Sequence, residues 1–486
     1  MPLNIIEKAG SLIGWRRGGS MSLLKAKRNT AWIGCIDFGT ALSKVAMVKR
    51  KPRSQLIDSD IVPLYVGNRE GIGVKNDLLL PSLIFVRDDG RLLFGDEAEP
   101  AAYRGERVGR QAFVSPKQYL STHELEDLDE TLEPSIAPTG KYTARGLLAL
   151  FLAHLLVQAG RAAAAAKLPW PVPLRIARPA WDRERAAIGE QTLRSLVLQA
   201  FAIADILGSK LSAVGGLAHL EALSALSKAM ADEALRDPLG LPSVFERNRE
   251  GSASVLEATA VAAGSIRETG RRVVAVADIG GGTSDFGAFI TGLPGRDVLG
   301  EIDGSSFVLR EAGDHLDMLL TRHILNQAGI DPDDPAGRGA ARRLRSLQRA
   351  NKEALFADGI LRVRLGDDVQ TVTKEDFLID PKVKAFGQRL RKAFHGALTA
   401  AVECARQYPQ PDSGARTPVE ILLTGGGHAL PMVQLLGAQP SVEWTYRTAA
   451  PELPAGPMSE GVRRQLAVAI GGAVKDLPRM TVPVRL

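Results

Sequence analysis

Residues 273–277 form a short apolar run with β-branched members, the pattern of a buried strand. Asp278 ends the run. Gly280, Gly281 and Gly282 follow, then Thr283, Ser284 and Asp285, and a second apolar run occupies 286–290. The pattern predicts a hairpin with a glycine turn at its tip. Residues 32–48, WIGCIDFGTALSKVAMV, repeat it: an apolar run, Asp37, Gly39, Thr40, Ala41 and a second apolar run. Two such units far apart in one chain predict a duplicated architecture. A third element comes late. Residues 419–423 are mostly apolar and lead into Thr424, Gly425, Gly426, Gly427 and His428, and Pro431 opens a helix. Further strands are predicted at 58–66, 83–86, 92–94 and 174–177. The Leu- and Ala-rich stretch 144–166 predicts a helix, buried over 146–157, and helices are expected from about 183, with Asp182 as its cap, and over 217–234.

The glycine turns carry the candidate chemistry. Glycines admit positive φ and let backbone N–H groups converge on an anion with no Cβ in the way. An aspartate at the mouth of such a turn suits a cation that rides on that anion. Phosphate with Mg²⁺ is the natural pair, because Mg²⁺ takes one or two carboxylates together with water and phosphate oxygens. A hairpin turn without a ligand is the plain alternative for either loop alone.

Composition narrows the class. The chain has 486 residues, more than one hydrophobic core usually serves, so two or more domains are expected. With 45% hydrophobic and 24% charged residues it reads as globular. A net charge of +6, with no long basic run, gives no indication of a nucleic-acid surface. The two cysteines, Cys35 and Cys404, form no CxxC pair, which excludes a disulfide framework and a thiolate zinc site and fits a reducing, cytoplasmic setting. No stretch of about 18 consecutive apolar residues occurs, so no transmembrane helix is expected. Residues 1–30 place Ile5, Ile6, Leu12, Ile13 and Trp15 before Arg16, Arg17, Lys25, Lys27 and Arg28. They read as a flexible tail, with Met21 as an alternative start, or as a basic amphipathic helix for a membrane surface or a protein partner.

The three glycine motifs, in this order, resemble those of the actin-like ATPase superfamily, and more closely those of the nucleotide-binding domain of the seventy-kilodalton heat-shock (DnaK-like) chaperones. The resemblance runs from about residue 32 to about residue 475. It implies an α/β chain with two RNase H-like lobes around a nucleotide cleft, binding ATP or ADP with Mg²⁺. It implies that Asp37 and Asp278 hold Mg²⁺ through water. Glu257, in the segment EATAVAA, matches a glutamate that assists them, with Ala258 where the family has proline. Gly39, Thr40, Ala41, Gly280, Gly281, Gly282 and Thr283 would cradle phosphates, and Gly425, Gly426, Gly427 and His428 would form the third nucleotide segment. Lys117, in VGRQAFVSPKQYL, matches a lysine that positions the attacking water, and Gln118 follows where the family has arginine.

Departures are expected to change base recognition. Lys352 matches a residue that contacts adenosine, but Gln348 or Arg349 falls where a glutamate belongs, and Phe356 or Leu355 where a serine belongs. Ala429 stands where an arginine stacks on adenine. The expected organisation is a tail over 1–30, a first lobe over 31–270 with an inserted segment at about 205–252, a second lobe over 271–460, and a helix returning to the first lobe within 461–486. A peptide-binding domain has no counterpart after residue 476. The expected function is a chaperone-like, Mg²⁺-dependent ATPase acting as a nucleotide-driven switch. The alternative is an actin-like nucleotide-bound scaffold with little hydrolysis, with a protein partner at the inserted segment or the tail. A sugar kinase of the same superfold would need a sugar-binding aspartate that has no evident position.

Overall fold

The computed structural model describes residues 22–67, 78–106, 109–122, 125–178, 181, 186–235, 244–247, 252–266, 270–293, 299–332, 334–411, 414–438, 446–452, 458–478 and 481–484. The chain is mixed α/β and divides into two compact units. One comprises Met1–Glu99, Ala112–Glu268 and Pro451–Arg479, and the other Pro100–Gln111, Thr269–Ala450 and Met480–Leu486.

The main sheet of the first unit contains β1 (Trp32–Asp37), β2 (Leu42–Lys49), β3 (Ile61–Pro63), β4 (Leu174–Arg178) and β5 (Ser254–Leu256), in the order β3-β2-β1-β4-β5. β1 is antiparallel to β2, and β2 to β3. On its other side β1 is parallel to β4, and β4 to β5. The second unit contains β6 (Arg272–Ile279), β7 (Ser284–Thr291), β8 (Gly300–Ile302), β9 (Val419–Thr424) and β10 (Tyr446–Ala449). Here β6 is antiparallel to β7 and β7 to β8, while β6 is parallel to β9 and β9 to β10. The two sheets therefore share one strand arrangement, an antiparallel triple followed by two parallel strands. β1 and β6 are fully buried along their length, which accounts for their unbroken apolar runs.

The first unit's core is built on two long helices, Ala144–Ala165 and Ala186–Leu207. Thr143 caps the first, its side chain accepting from the Gly146 N–H at 3.1 Å, worth about 1 kcal/mol. Leu147, Leu148, Leu150, Phe151, Leu152, Leu155 and Leu156 are buried, each contributing about 1.5–3 kcal/mol. By length and composition alone, Ala144–Ala165 and the stretch Ala186–Ser212 that continues the second helix are long and apolar enough to cross a membrane. An apolar window need not be unbroken, and here 78% and 61% of the two windows is buried within the unit.

Two further segments pack into the first unit. Residues 22–30 are packed rather than trailing. The Leu23 and Leu24 N–H groups donate to the Asp205 carboxylate at 2.5 and 3.2 Å, and the buried Arg28 guanidinium donates to the carbonyls of Leu23, Leu24 and Ala26. Burial pushes the Arg28 pKa down to about 10, against the pull of Asp205. Residues 1–21 lie outside the described residues, as does most of 236–251. Of the segment 205–252, Asp205 ends inside a core helix, and helix His219–Ala231 buries Ala222, Ala225, Leu226 and Ala229. Phe245 bridges Leu174 at the start of β4. This stretch is part of the unit's core, with Val214 and Leu220 left exposed.

Helix Glu460–Ala473 crosses helix Glu257–Ser265 where Gly471 meets Gly264. A Cβ on Gly471 would lie 1.7 Å from the Ala260 carbonyl oxygen, so only glycine allows the approach. The crossing fixes the helix whose first residue is Glu257. Gly471→Ala is expected to destabilise the protein by about 1–3 kcal/mol or more through overpacking. Gly461→Ala, on the same helix with open space at its Cβ, is expected to be neutral or stabilising. Thermal unfolding of the two variants checks this, and a parental midpoint for Gly471→Ala contradicts the close crossing.

Candidate functional site

Parallel strands end at one edge of each sheet, and ligands of open α/β sheets bind outside those carboxyl ends. In the first unit Asp37 is the last residue of β1 and lies beside Ala177 of β4, whose neighbour on β5 is Val255. Glu257 comes two residues after Val255, as the first residue of its helix, where the helix dipole favours a carboxylate. Lys117 reaches the same edge from elsewhere. Strand Phe113–Val114 pairs with Leu83–Val86, Ser115 takes a left-handed φ of 51°, and helix Pro116–Thr122 follows. Lys117 is buried and its ammonium is ion-paired with Glu257. Asp37 and Lys117 both act on the Cys35 thiol, which burial, then Asp37, pushes up to about 12 while Arg175 and Lys117 pull it back. Cys35 is thus an inert packing residue beneath the site.

The turn after Asp37 is tight. A Cβ on Gly39 would lie 2.1 Å from the Leu42 carbonyl oxygen. Thr40 is buried, and Gly39 and Ala41 are half-buried. Directly opposite Asp37 on β2 stands Lys44, whose ammonium is 2.7 Å from the Asp37 carboxylate.

The second unit repeats the arrangement with one change. Asp278 lies near the end of β6 beside Thr424, the last residue of β9, whose hydroxyl donates to its carboxylate at 2.8 Å. Opposite Asp278 on β7 stands a second buried carboxylate, Asp285. Two like charges in one cross-strand pair are unfavourable unless positive charge is close. Within the glycine turn the Gly280 N–H donates to the Thr283 carbonyl at 2.9 Å. The carbonyls of Gly280 and Gly281 accept from the N–H groups of Gly313 and Asp314 at 3.2 and 2.8 Å. The third segment closes against the same strand end. Gly425 has φ +81°, a Cβ there would lie 2.2 Å from the Ile279 carbonyl oxygen, and the Gly427 N–H donates to that oxygen at 2.9 Å. Gly426 and Ala429 are exposed, and the His428 ring is folded onto its own turn, 2.8 Å from the Gly425 carbonyl.

The structure groups Asp37, Gly39, Thr40, Ala41, Lys117 and Glu257 in one unit. It groups Asp278, Gly280, Gly281, Gly282, Thr283, Gly425, Gly426, Gly427 and His428 in the other. Lys352 belongs to the second unit as well. It lies beneath the glycine turn, donating to the Gly313 carbonyl at 2.9 Å and pairing with buried Asp317 at 2.9 Å. Burial pushes the Asp317 carboxyl up to about 6, with Lys352 pulling it down and Asp314 adding to the rise. Arg349 bonds Glu353 at 2.9 Å, and Phe356 packs on Phe377.

Lys44 and Asp285 were given no role in the sequence reading, and Asp317 was not read there as the partner of Lys352. Lys44 and Asp285 stand at the same offset from Asp37 and Asp278, so hairpin register was the signal that could have found the first two. Asp317 becomes meaningful only once Lys352 is seen against it. Among the described residues no group of three or more His, Cys, Asp or Glu side chains is placed to hold a metal by itself. The donors at each strand end suit a hard cation that also takes water and phosphate oxygens. No protein-family model matches the chain, and no curated protein matches it.

Proposed function

We propose that the protein is a Mg²⁺-dependent ATPase of the actin-like superfamily, similar to the nucleotide-binding domain of the seventy-kilodalton chaperones, working as a nucleotide-driven switch. One observation carries the reading. Both sheets have the same strand arrangement, and each carries a buried aspartate at the carboxyl end of its first strand with a glycine turn directly after it. In this reading each glycine turn offers its backbone N–H groups to phosphate oxygens.

The roles follow from charge. Asp37, Glu257 and Asp278 orient the water shell of the cation, and Asp285 adds to the negative potential beside Asp278. The bound cation would neutralise phosphate charge and polarise the transferring group. Gly39, Thr40, Ala41 and residues 280–283 offer backbone N–H groups to phosphate oxygens. Lys44 and Lys117 supply positive charge, and Lys117 offsets what develops on the terminal phosphate as the bond breaks. The ion pair with Glu257 holds the Lys117 ammonium in a buried site, from which it would be released for that task. Little is left for the base: Arg349 and Lys352 are engaged elsewhere and Ala429 has no stacking group. The scaffold reading is favoured by the same ion pair, since Lys117 held on Glu257 hydrolyses nothing until it is released. A protein partner would have the exposed Val214 and Leu220 of the inserted segment within reach.

Asp278→Asn is expected to weaken Mg²⁺-dependent ATP binding roughly 10–100-fold, as loss of a metal-orienting carboxylate does. Titration with ATP at several Mg²⁺ concentrations checks it, and a parental Mg²⁺ requirement overturns the assignment. Lys117→Gln keeps a hydrogen bond for Glu257 and loses the charge. It should bind ATP like the parent and hydrolyse it about 10²–10³-fold more slowly. Equal losses of binding and rate would make Lys117 a general phosphate-binding charge. Base selectivity should be weak. A stacked guanidinium contributes about 0.5–2 kcal/mol, so its absence at Ala429 costs up to roughly tenfold in affinity. Competition between ATP and GTP reads this directly, and a strong ATP preference at nanomolar affinity contradicts it.

A further inference from the structure

We infer that Asp317, acting through Lys352, is a positioning residue of the second glycine turn: it holds the turn's peptide units so that their N–H groups face phosphate. The inference rests on the phosphate-binding reading of that turn and adds how the turn is kept in shape.

The argument is geometric. A trans peptide points its C=O and its N–H in opposite directions. The Gly280 carbonyl accepts from the Gly313 N–H, so the Gly281 N–H points away from helix Gly313–Gln327. The Gly281 carbonyl accepts from the Asp314 N–H, so the Gly282 N–H points the same way. The first N–H groups of this helix are thus committed to the turn's carbonyls and not to a ligand. Their place depends in turn on Lys352, whose ammonium donates to the Gly313 carbonyl and pairs with Asp317 one turn further along the helix. Asp317 is 2% exposed. The fit is close, because a Cβ on Gly313 would lie 3.2 Å from the Lys352 ammonium and 3.3 Å from the Gly280 carbonyl oxygen. The links run from Asp317 to Lys352, to the start of the helix, to the Gly280 and Gly281 peptides. Lys352 is thereby placed under the turn, where it supports phosphate binding whatever base the nucleotide carries.

Asp317→Asn separates this role from simple electrostatics. It removes a negative charge near an anion site, so charge alone predicts equal or tighter anion binding. A positioning role predicts weaker binding. The probes are Mg²⁺·ATP and Mg²⁺·tripolyphosphate, which has no nucleoside, titrated calorimetrically into the full chain. Asp317→Asn and Lys352→Gln are each expected to weaken both probes about tenfold, and Lys352→Arg, which keeps charge and donors, to remain near the parent. If Asp317→Asn does not fold, the two Lys352 variants carry the test. Parental or tighter binding in folded Asp317→Asn overturns the inference. So does a loss in Lys352→Gln confined to ATP, which would make Lys352 a nucleoside contact. If the parent binds ATP and tripolyphosphate while the variants match it, only this inference fails. If the parent binds neither probe, the phosphate reading fails with it.

Discussion

A carboxylate buried at the end of a parallel strand has to be met by charge or by hydrogen bonds, and both units are arranged around that demand. Burying an isolated ionised carboxyl costs far more than one domain's net stability. Asp37 is met by Lys44, its cross-strand neighbour. Asp278 receives the Thr424 hydroxyl but stands opposite Asp285. The same hairpin therefore sets a lysine opposite the aspartate in one unit and a second aspartate opposite it in the other.

What surrounds these pairs keeps them in place at the backbone level. Gly39 and Gly425 sit where a Cβ would strike a carbonyl oxygen. The Gly264–Gly471 crossing sets the helix that begins with Glu257, and that residue takes Lys117. Strain in such contacts is transmitted because packed interiors yield little. A change far from the strand ends, as at Gly471, therefore reaches the charged cluster.

The hairpins, the glycine turns and the core helices were legible in the sequence because each is local. An apolar run, an aspartate and glycines within a dozen residues announce themselves. Partners that meet through tertiary structure were not. Lys117 and Glu257 could be singled out separately, but their ion pair depends on a strand pairing between Phe113 and Ile84 and on a strand-to-helix turn at Leu256. Lys352 was singled out through the family resemblance alone, and the buried Asp317 that pairs with it lies on another helix. Residues 22–30 read as tail because they are short and polar, yet a single carboxylate, Asp205, gathers their N–H groups. Segment 205–252 was read as an insertion by comparison with the family, and a helix within it was legible, but that its helix His219–Ala231 buries Ala222, Ala225, Leu226 and Ala229 was not.

The central claim is that the strand-end aspartates and glycine turns serve the triphosphate of a hydrolysed nucleotide. The most direct measurement is the rate at which the purified full chain converts ATP to ADP and phosphate, with and without Mg²⁺, followed through ADP release. The account predicts slow turnover that disappears when Mg²⁺ is chelated. Failure to bind or hydrolyse ATP at millimolar concentration with Mg²⁺ present would contradict it.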